Sequence, residues 1–506
     1  MDLKKLFNQN KNYEDFEENP PEFLPEIIQE ETSSLDEVDT QQSEQSPVLR
    51  SSLREKNKRK KSFSSSEDSA ERLFEEKEDY ATLTKAQDFF AAPSNIEETD
   101  LKFSEIADLS LKILAKKNTA TGKELALELR LSLHGLVDLV LSNLYDQKYI
   151  DVVKTSGLIG ANKTYKLTTL GYQKVEDINK ISSYVGPAPV SIRDYILAVE
   201  NYPEINFSPD ELGKAYQDLT VNKDVLEQIG PALLSGKSLF LYGPPGTGKT
   251  SIAQRITKCY GSTIKIPFAV NVDGSVIKFF DSFWHKPINP EKLKDQNFHE
   301  DNRWIEIARP CILVGPEFRV SSTHIQADSL GENLQFPNSI KANGGVFIID
   351  DFGRQKEHPD ILFNRWIVPL GQRSDILSLP KTGQQVMLPF RVFLVFSTNL
   401  EPKKIVDDAA IRRLGYKVLI NYPEVEAYCQ IFALEAEKAR ISWSDEILEY
   451  FIEKEYYKNS RPMRASDPKD ILSRVIDIAR FRGLNFPCNL SKELLDRACT
   501  LFFSEF

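Results

Sequence analysis

The sequence predicts an α/β protein whose parallel sheet is preceded by a small α+β domain and followed by an all-α domain. Three observations carry that expectation. An apolar run, Ser238–Tyr242, enters the glycine-rich stretch GPPGTGKT, Gly243–Thr250, and leaves it at helical spacing in SIAQRITKCY. Two further apolar runs, Val346–Ile349 and the one inside RVFLVFSTN, Arg391–Asn399, stop abruptly at polar residues, as buried parallel strands do at their carboxyl ends. After Tyr422 the apolar residues recur at helical spacing.

The elements in order begin with an acidic tail. Residues 1–99 are rich in Glu, Asp, Ser, Gln and Pro, and by count the first hundred residues carry about −12 of the chain's net −11, leaving the remainder near neutral. Such composition buries too little apolar surface to offset backbone ordering, so a disordered tail is expected, with one basic island at Leu53–Lys61.

Residues 100–180 read as a winged-helix-like domain. Ile106, Leu109 and Ile113 keep helical spacing, and TGKE, Thr121–Glu124, is a capping box. Leu133, Leu136, Val137, Val140, Leu141 and Leu144 form the apolar stripe of a third helix. Tyr149–Val153 and Lys163–Leu167 then read as a hairpin. The polar side of the third helix offers His134, Asp138, Ser142, Asn143 and Asp146, with no arginine and only Lys148 near its end. Because DNA affinity depends on cations that neutralise phosphates, that face favours a protein partner over DNA. The stiff YVGPAP, Tyr184–Pro189, opens a linker expected over 181–205.

A nucleotide-binding α/β domain is expected over 206–422. The glycines of Gly243–Thr250 let backbone N–H groups curl around phosphate oxygens, and the following helix aims its N-terminus at the same charge. Lys249 is placed to reach β- and γ-phosphates, and the Thr250 hydroxyl to hold Mg²⁺. Asp350, at the carboxyl end of the second apolar run, is placed to share that Mg²⁺, and Asp351 points toward an attacking water. Asn399 ends the third run and can orient the same water. Arg412 and Arg413, in DDAAIRRLGYKV, could stabilise charge on a transferring phosphoryl group.

This order of motifs resembles the AAA+ ATPases from about Leu212 to the C-terminus, with residues 423–506 as a helical lid domain. The resemblance implies ATP and Mg²⁺ as cofactors and a homo-oligomeric ring. It makes Gly243, Pro244, Pro245, Gly246, Thr247, Gly248, Lys249, Thr250 and Ser251 the Walker A segment, with Asp350 and Asp351 as Walker B. Asn399 becomes sensor 1, and Arg413 the arginine finger given to a neighbouring subunit, with Arg412 as the alternative. Arg464 is preferred to Arg461 as sensor 2. Within AAA+, ANGGVFIIDDFGRQ, Ala342–Gln355, resembles the MoxR-type chaperone ATPases, as do a helix over Asp360–Arg373 and a hairpin over Asp375–Phe390.

Two departures stand out. The family has glutamate where this chain has Asp351, which draws the carboxylate back by about 1.5 Å from its water. About a hundred residues separate Lys249 from Asp350, more than one crossover needs. Within the excess, Phe279, Phe280, Phe283 and Trp284 fall where ring-forming relatives grip a substrate, although core packing explains aromatics equally well. The expected function is ATP hydrolysis that remodels a protein client, with a DNA-associated regulator or a slow nucleotide switch as alternatives.

The five cysteines are scattered and never form a CxxC pair, and the five histidines show no ligand spacing, so no disulfide framework or protein-bound metal site is expected. No run approaches the roughly 18 uninterrupted apolar residues of a membrane span. The first twenty residues lack a signal-peptide core. The expectation is a cytoplasmic chain without membrane insertion.

Overall fold

The computed structural model describes residues 89–155, 163–291, 300–328, 333–405, 412, 414–484 and 488–504. The expected tail up to residue 88, the basic island within it, and Arg413 lie outside the described residues. Residues 89–99, which composition assigns to the tail, are part of the folded body: Phe90 packs edge-on to Trp304 at 5.2 Å, and its carbonyl accepts the Asp301 N–H at 2.8 Å.

Helix α1 (Phe103–Lys117) turns Ile106, Leu109 and Ile113 into the first core. After β1 (Thr119–Thr121), the capping box starts α2 (Gly122–Leu129). The Thr121 hydroxyl accepts the Glu124 N–H at 3.2 Å, and the Glu124 carboxylate accepts the Thr121 N–H at 2.7 Å. The third helix is shorter than its apolar stripe. Leu133 and Leu136 are buried, yet His134 and Gly135 leave helical conformation, and regular α-helix α3 spans Asp138–Asp146. Gly135 sits at φ +83° with the Ser94 carbonyl 3.1 Å from where a side chain would begin, so the preceding segment crosses here. Strands β2 (Ile150–Thr155) and β3 (Lys163–Leu167) join β1 in an antiparallel sheet, β1-β3-β2, closed by α4 (Thr169–Ile181).

The expected linker differs most. Within 181–205 the chain forms β4 (Val190–Ser191) and α5 (Ile192–Glu200), with Val190, Tyr195 and Val199 fully buried in the central core. The prolines stiffen only the approach to it. Next, α6 (Pro209–Ala215) and α7 (Lys223–Ser235) lead to β5 (Leu239–Tyr242) and α8 (Lys249–Arg255), which flank the glycine loop.

The surplus between Lys249 and Asp350 builds its own layer. It contains β6 (Ile264–Pro267), β7 (Ala269–Val272), β8 (Ser275–Lys278) and β9 (Trp304–Ile307) before β10 (Cys311–Val314) returns to the main sheet. Then β11 (Gln326–Ala327), β12 (Leu334–Gln335) and α9 (Asn338–Lys341) precede β13 (Val346–Ile349). Four of these short strands join β4 from the expected linker in a mixed sheet, β11-β12-β8-β7-β4, and β6 pairs with β9. Within this layer Phe279 is fully buried against Tyr195, Phe336 and His285, so it is core rather than a grip. Phe280 and Trp284 are partly buried against the same core, whereas Phe283 is 75% exposed.

Helices α10 (Pro359–Asn364) and α11 (Ile367–Gln372) replace the single helix expected over Asp360–Arg373. The expected hairpin forms as β14 (Ser374–Ser378) and β15 (Gln385–Pro389). With β16 (Phe393–Thr398) and β17 (Tyr416–Leu419), the main sheet reads β10-β13-β16-β5-β17, parallel throughout. Every residue of β13 and β16 is buried, as a sheet covered on both faces requires.

The last body is α12 (Val425–Ala439), β18 (Ile441–Ser442), α13 (Asp445–Ile452), α14 (Asp467–Phe481), β19 (Cys488–Asn489) and α15 (Lys492–Phe502), around a core of its own. Among the described residues, no helix is long and apolar enough to cross a membrane.

Candidate nucleotide site

Three parallel strands deliver polar residues to one edge of the main sheet: β5 gives the glycine loop, β13 gives Asp350 and Asp351, and β16, between them, gives Asn399. Gly243 sits at φ +141°, and a side chain there would begin 2.2 Å from the Ile420 carbonyl, so only glycine admits the loop beside β17. Lys249 is buried and donates to the carbonyls of Gly243 at 2.9 Å and Pro244 at 2.6 Å. Burial lowers its pKa, and the nearby carboxylates of Asp350 and Asp351 oppose that shift.

The Thr250 hydroxyl donates to Asp350 Oδ2 at 2.7 Å, across a sequence separation of a hundred residues. Asp350 Oδ1 accepts the Asp351 N–H at 3.1 Å, and its backbone carbonyl accepts Gln355 Nε2 at 3.1 Å. Asp351 occupies the left-handed region at φ +48°, which aspartate tolerates better than most residues. Its Oδ1 accepts Asn399 Nδ2 at 3.1 Å, so the expected water-handling pair is in direct contact.

The helical body closes over the loop. The Ser466 N–H donates to the Gly246 carbonyl at 3.0 Å, and a side chain on Gly246, at φ +78°, would begin 2.8 Å from Ser466 Oγ and 3.1 Å from Arg464 Cβ. Arg464 is exposed with its stem against the loop. Arg461 is engaged elsewhere, with Glu455 at 2.8 Å and the Phe503 ring at 4.1 Å. Beside Thr247, Gly248 and Ser251 lies a cavity of about 280 Å³ whose apolar walls are Leu219, Val221 and Ile252 from the α/β body and Ile431 and Leu434 from α12. Sequence reading missed these residues, because their apolar spacing is that of ordinary core.

Arg412 is exposed ahead of β17. Since β17 runs parallel to β5, Arg412 precedes the amino end of the sheet, roughly 13 Å of strand away from the glycine loop. The described structure therefore does not bring Arg412 to the site within one chain, and Arg413 lies outside the described residues. Arg354 is exposed, its N–H bonded to the Asp351 carbonyl at 2.9 Å.

Chemically, a glycine loop at the head of a helix offers N–H groups to phosphate, and a buried lysine supplies a fixed cation. The Thr250 and Asp350 oxygens match the hard-oxygen preference of Mg²⁺, which binds proteins through few ligands and takes the rest from phosphate and water. The residues present thus fit a nucleotide carried with Mg²⁺.

The family described as "Domain of unknown function (DUF8689)" matches residues 424–501, the helical body alone. Comparison with curated proteins found no match. Among solved structures, the chain is similar to the RuvB Holliday junction branch migration motor of Thermotoga maritima, at 12% identity and a TM-score of 0.32, over 56% of this chain and 69% of that one. A point mutant of the same RuvB gives 12% identity and a TM-score of 0.31, over 59% and 73%.

Proposed function

We propose that this chain binds and hydrolyses ATP with Mg²⁺ as an AAA+ protein of the MoxR-like branch, and that it remodels a protein complex. The observation that carries the reading is the 2.7 Å hydrogen bond from Thr250 to Asp350, which joins the head of the loop helix to the acidic end of β13. Two oxygen ligands for one cation are thereby set side by side at the phosphate-binding loop. Mg²⁺ would supply charge neutralisation on the phosphate oxygens. Lys249 reaches the β- and γ-phosphates, Asp351 takes the proton of the attacking water, and Asn399 orients that water. Arg464 contacts nucleotide from the lid, and Arg413, or Arg412, serves a neighbouring subunit in a ring. A protein client fits the exposed face of α3, where Leu139 and Tyr145 are 56% and 51% exposed beside Ser142 and Asp146. Such a face offers contact area, and α3 itself carries no lysine or arginine for DNA phosphates.

The test is titration with a fluorescent ATP analogue, with and without Mg²⁺, followed by phosphate release. Wild type should bind and turn over ATP, and Lys249→Ala should lose both. Equal binding by the two proteins would refute the reading.

A second reading, a switch that holds ATP and hydrolyses it slowly, is favoured by the contact of Asp351 with Asn399 at 3.1 Å. The short side chain already spends one oxygen on a neighbour.

A further inference from the structure

The helical body contains a buried polar chain that the nucleotide site does not itself use. Tyr428 on α12 is fully buried, and its hydroxyl lies 2.6 Å from that of Tyr456. The Tyr456 hydroxyl donates to Asp467 Oδ2 at 3.0 Å, so the proton order is fixed: Tyr428 donates to Tyr456, and Tyr456 to the carboxylate. Asp467 is only 2% exposed at the start of α14, and burial raises its pKa. Two aromatic hydroxyls in series partly compensate that charge, and each bond polarises the next.

Both ends of this chain reach the walls of the nucleotide cavity. Three residues after Tyr428, on the next turn of α12, Ile431 lines the cavity, followed by Leu434. At the other end the Asp467 N–H closes a turn onto the Arg464 carbonyl at 3.1 Å. Within that turn, Ser466 makes the backbone bond to Gly246. Arg464 also lies close enough for its charge to act on Asp467.

We propose that Asp467 is a positioning residue: anchored by Tyr456 and Tyr428, it sets the Arg464–Ser466 turn against the phosphate-binding loop and locks that turn to the α12 wall of the cavity. The inference rests on the nucleotide reading above. Two walls that would otherwise shift independently become one rigid face, and nucleotide affinity depends on a carboxylate that never touches nucleotide.

Fluorescent ADP titrations and unfolding midpoints on the full chain test this with wild type, Lys249→Ala, Arg464→Ala, Tyr456→Phe, Asp467→Asn and the double variant Arg464→Ala/Tyr456→Phe. Tyr456→Phe keeps the ring and its packing, so it guards against simple misfolding. It should weaken ADP binding by about tenfold, the scale of one hydrogen bond to a charge. In the Arg464→Ala background the same change should cost less than about fourfold, because one of the groups that the turn positions is gone while the Ser466 bond to Gly246 remains. Asp467→Asn should follow Tyr456→Phe. A lowered midpoint with wild-type affinity would mark the chain as purely structural and overturn the proposal, as would additive losses. Wild type that binds while Lys249→Ala does not keeps the nucleotide reading apart from that failure. Wild type that binds no ADP overturns both.

Discussion

At the scale of the residue, Asp351 is the most informative position. It sits at φ +48° with its carboxylate on Asn399, so its reach is limited both by its length and by its partner. Asp351→Glu should raise single-turnover ATP hydrolysis by about tenfold or more if the natural residue favours holding, and Asp351→Asn should abolish turnover while preserving binding. Equal rates for wild type and the glutamate variant would remove the switch reading. His285 makes a different kind of prediction. Its Nδ1 accepts the Asp281 N–H at 3.0 Å, its Nε2 donates to the Lys341 carbonyl at 3.0 Å, and burial pushes its pKa from 6.5 down to about 4. The unfolded chain therefore takes up the proton first as pH falls. Stability present above pH 6.5 is lost progressively between 6.5 and about 4, by roughly 3 kcal/mol in total. Unfolding midpoints measured across that window should fall less steeply in His285→Gln. The grouping of the motif residues was legible because each follows an apolar run that ends abruptly, and the structure brings those strand ends together. The histidine was not, since its role comes from a layer whose folding spacing alone does not announce.

At the scale of the element, legibility followed the strength of the local signal. The capping box at Thr121 and the hairpin after Arg373 appear where local chemistry puts them. The third helix does not keep its stripe, because Gly135 takes positive φ beside the Ser94 carbonyl, and a tertiary crossing overrides the helical period there. Proline stiffness at Tyr184–Pro189 suggested a spacer, yet Val190 follows it into a sheet whose partner, Val270, is eighty positions later. No local pattern carries that pairing. The contact between loop and helical body is likewise non-local. Gly246→Ala places a methyl group 2.8 Å from Ser466 Oγ at a backbone conformation alanine disfavours by about 1 kcal/mol. It should weaken nucleotide binding while barely moving the unfolding midpoint, read by titration and by thermal melting. Unchanged affinity would mean that the Arg464–Ser466 turn can step aside at little cost.

For the whole molecule, the main sheet separates two kinds of chemistry. Its carboxyl edge gathers the glycine loop, Asp350, Asp351 and Asn399, whereas Arg412 precedes the opposite end of β17. On the function proposed above, an arginine at that end would serve the phosphate of another subunit. ATPase rate per chain should therefore rise with protein concentration and reach a plateau, and Arg413→Ala or Arg412→Ala should lower the plateau at least tenfold with ATP affinity retained. A dilution series with constant specific activity would rule out a site shared between subunits.

Arg303 has a consequence of another sort. Buried beside Asp301, its guanidinium donates through one nitrogen to the carbonyls of Thr99 at 2.8 Å and Pro189 at 3.3 Å, the residues just before and just after the module built from α1–α4 and the β1-β3-β2 sheet. The chain leaves the central body and returns to it at a single point, and Phe90 ahead of that point already packs on the same body. A module with coincident ends can be gained, lost or exchanged by one pair of cuts without re-threading anything else. In genetic language it is a cassette, and the arginine marks where its two junctions meet.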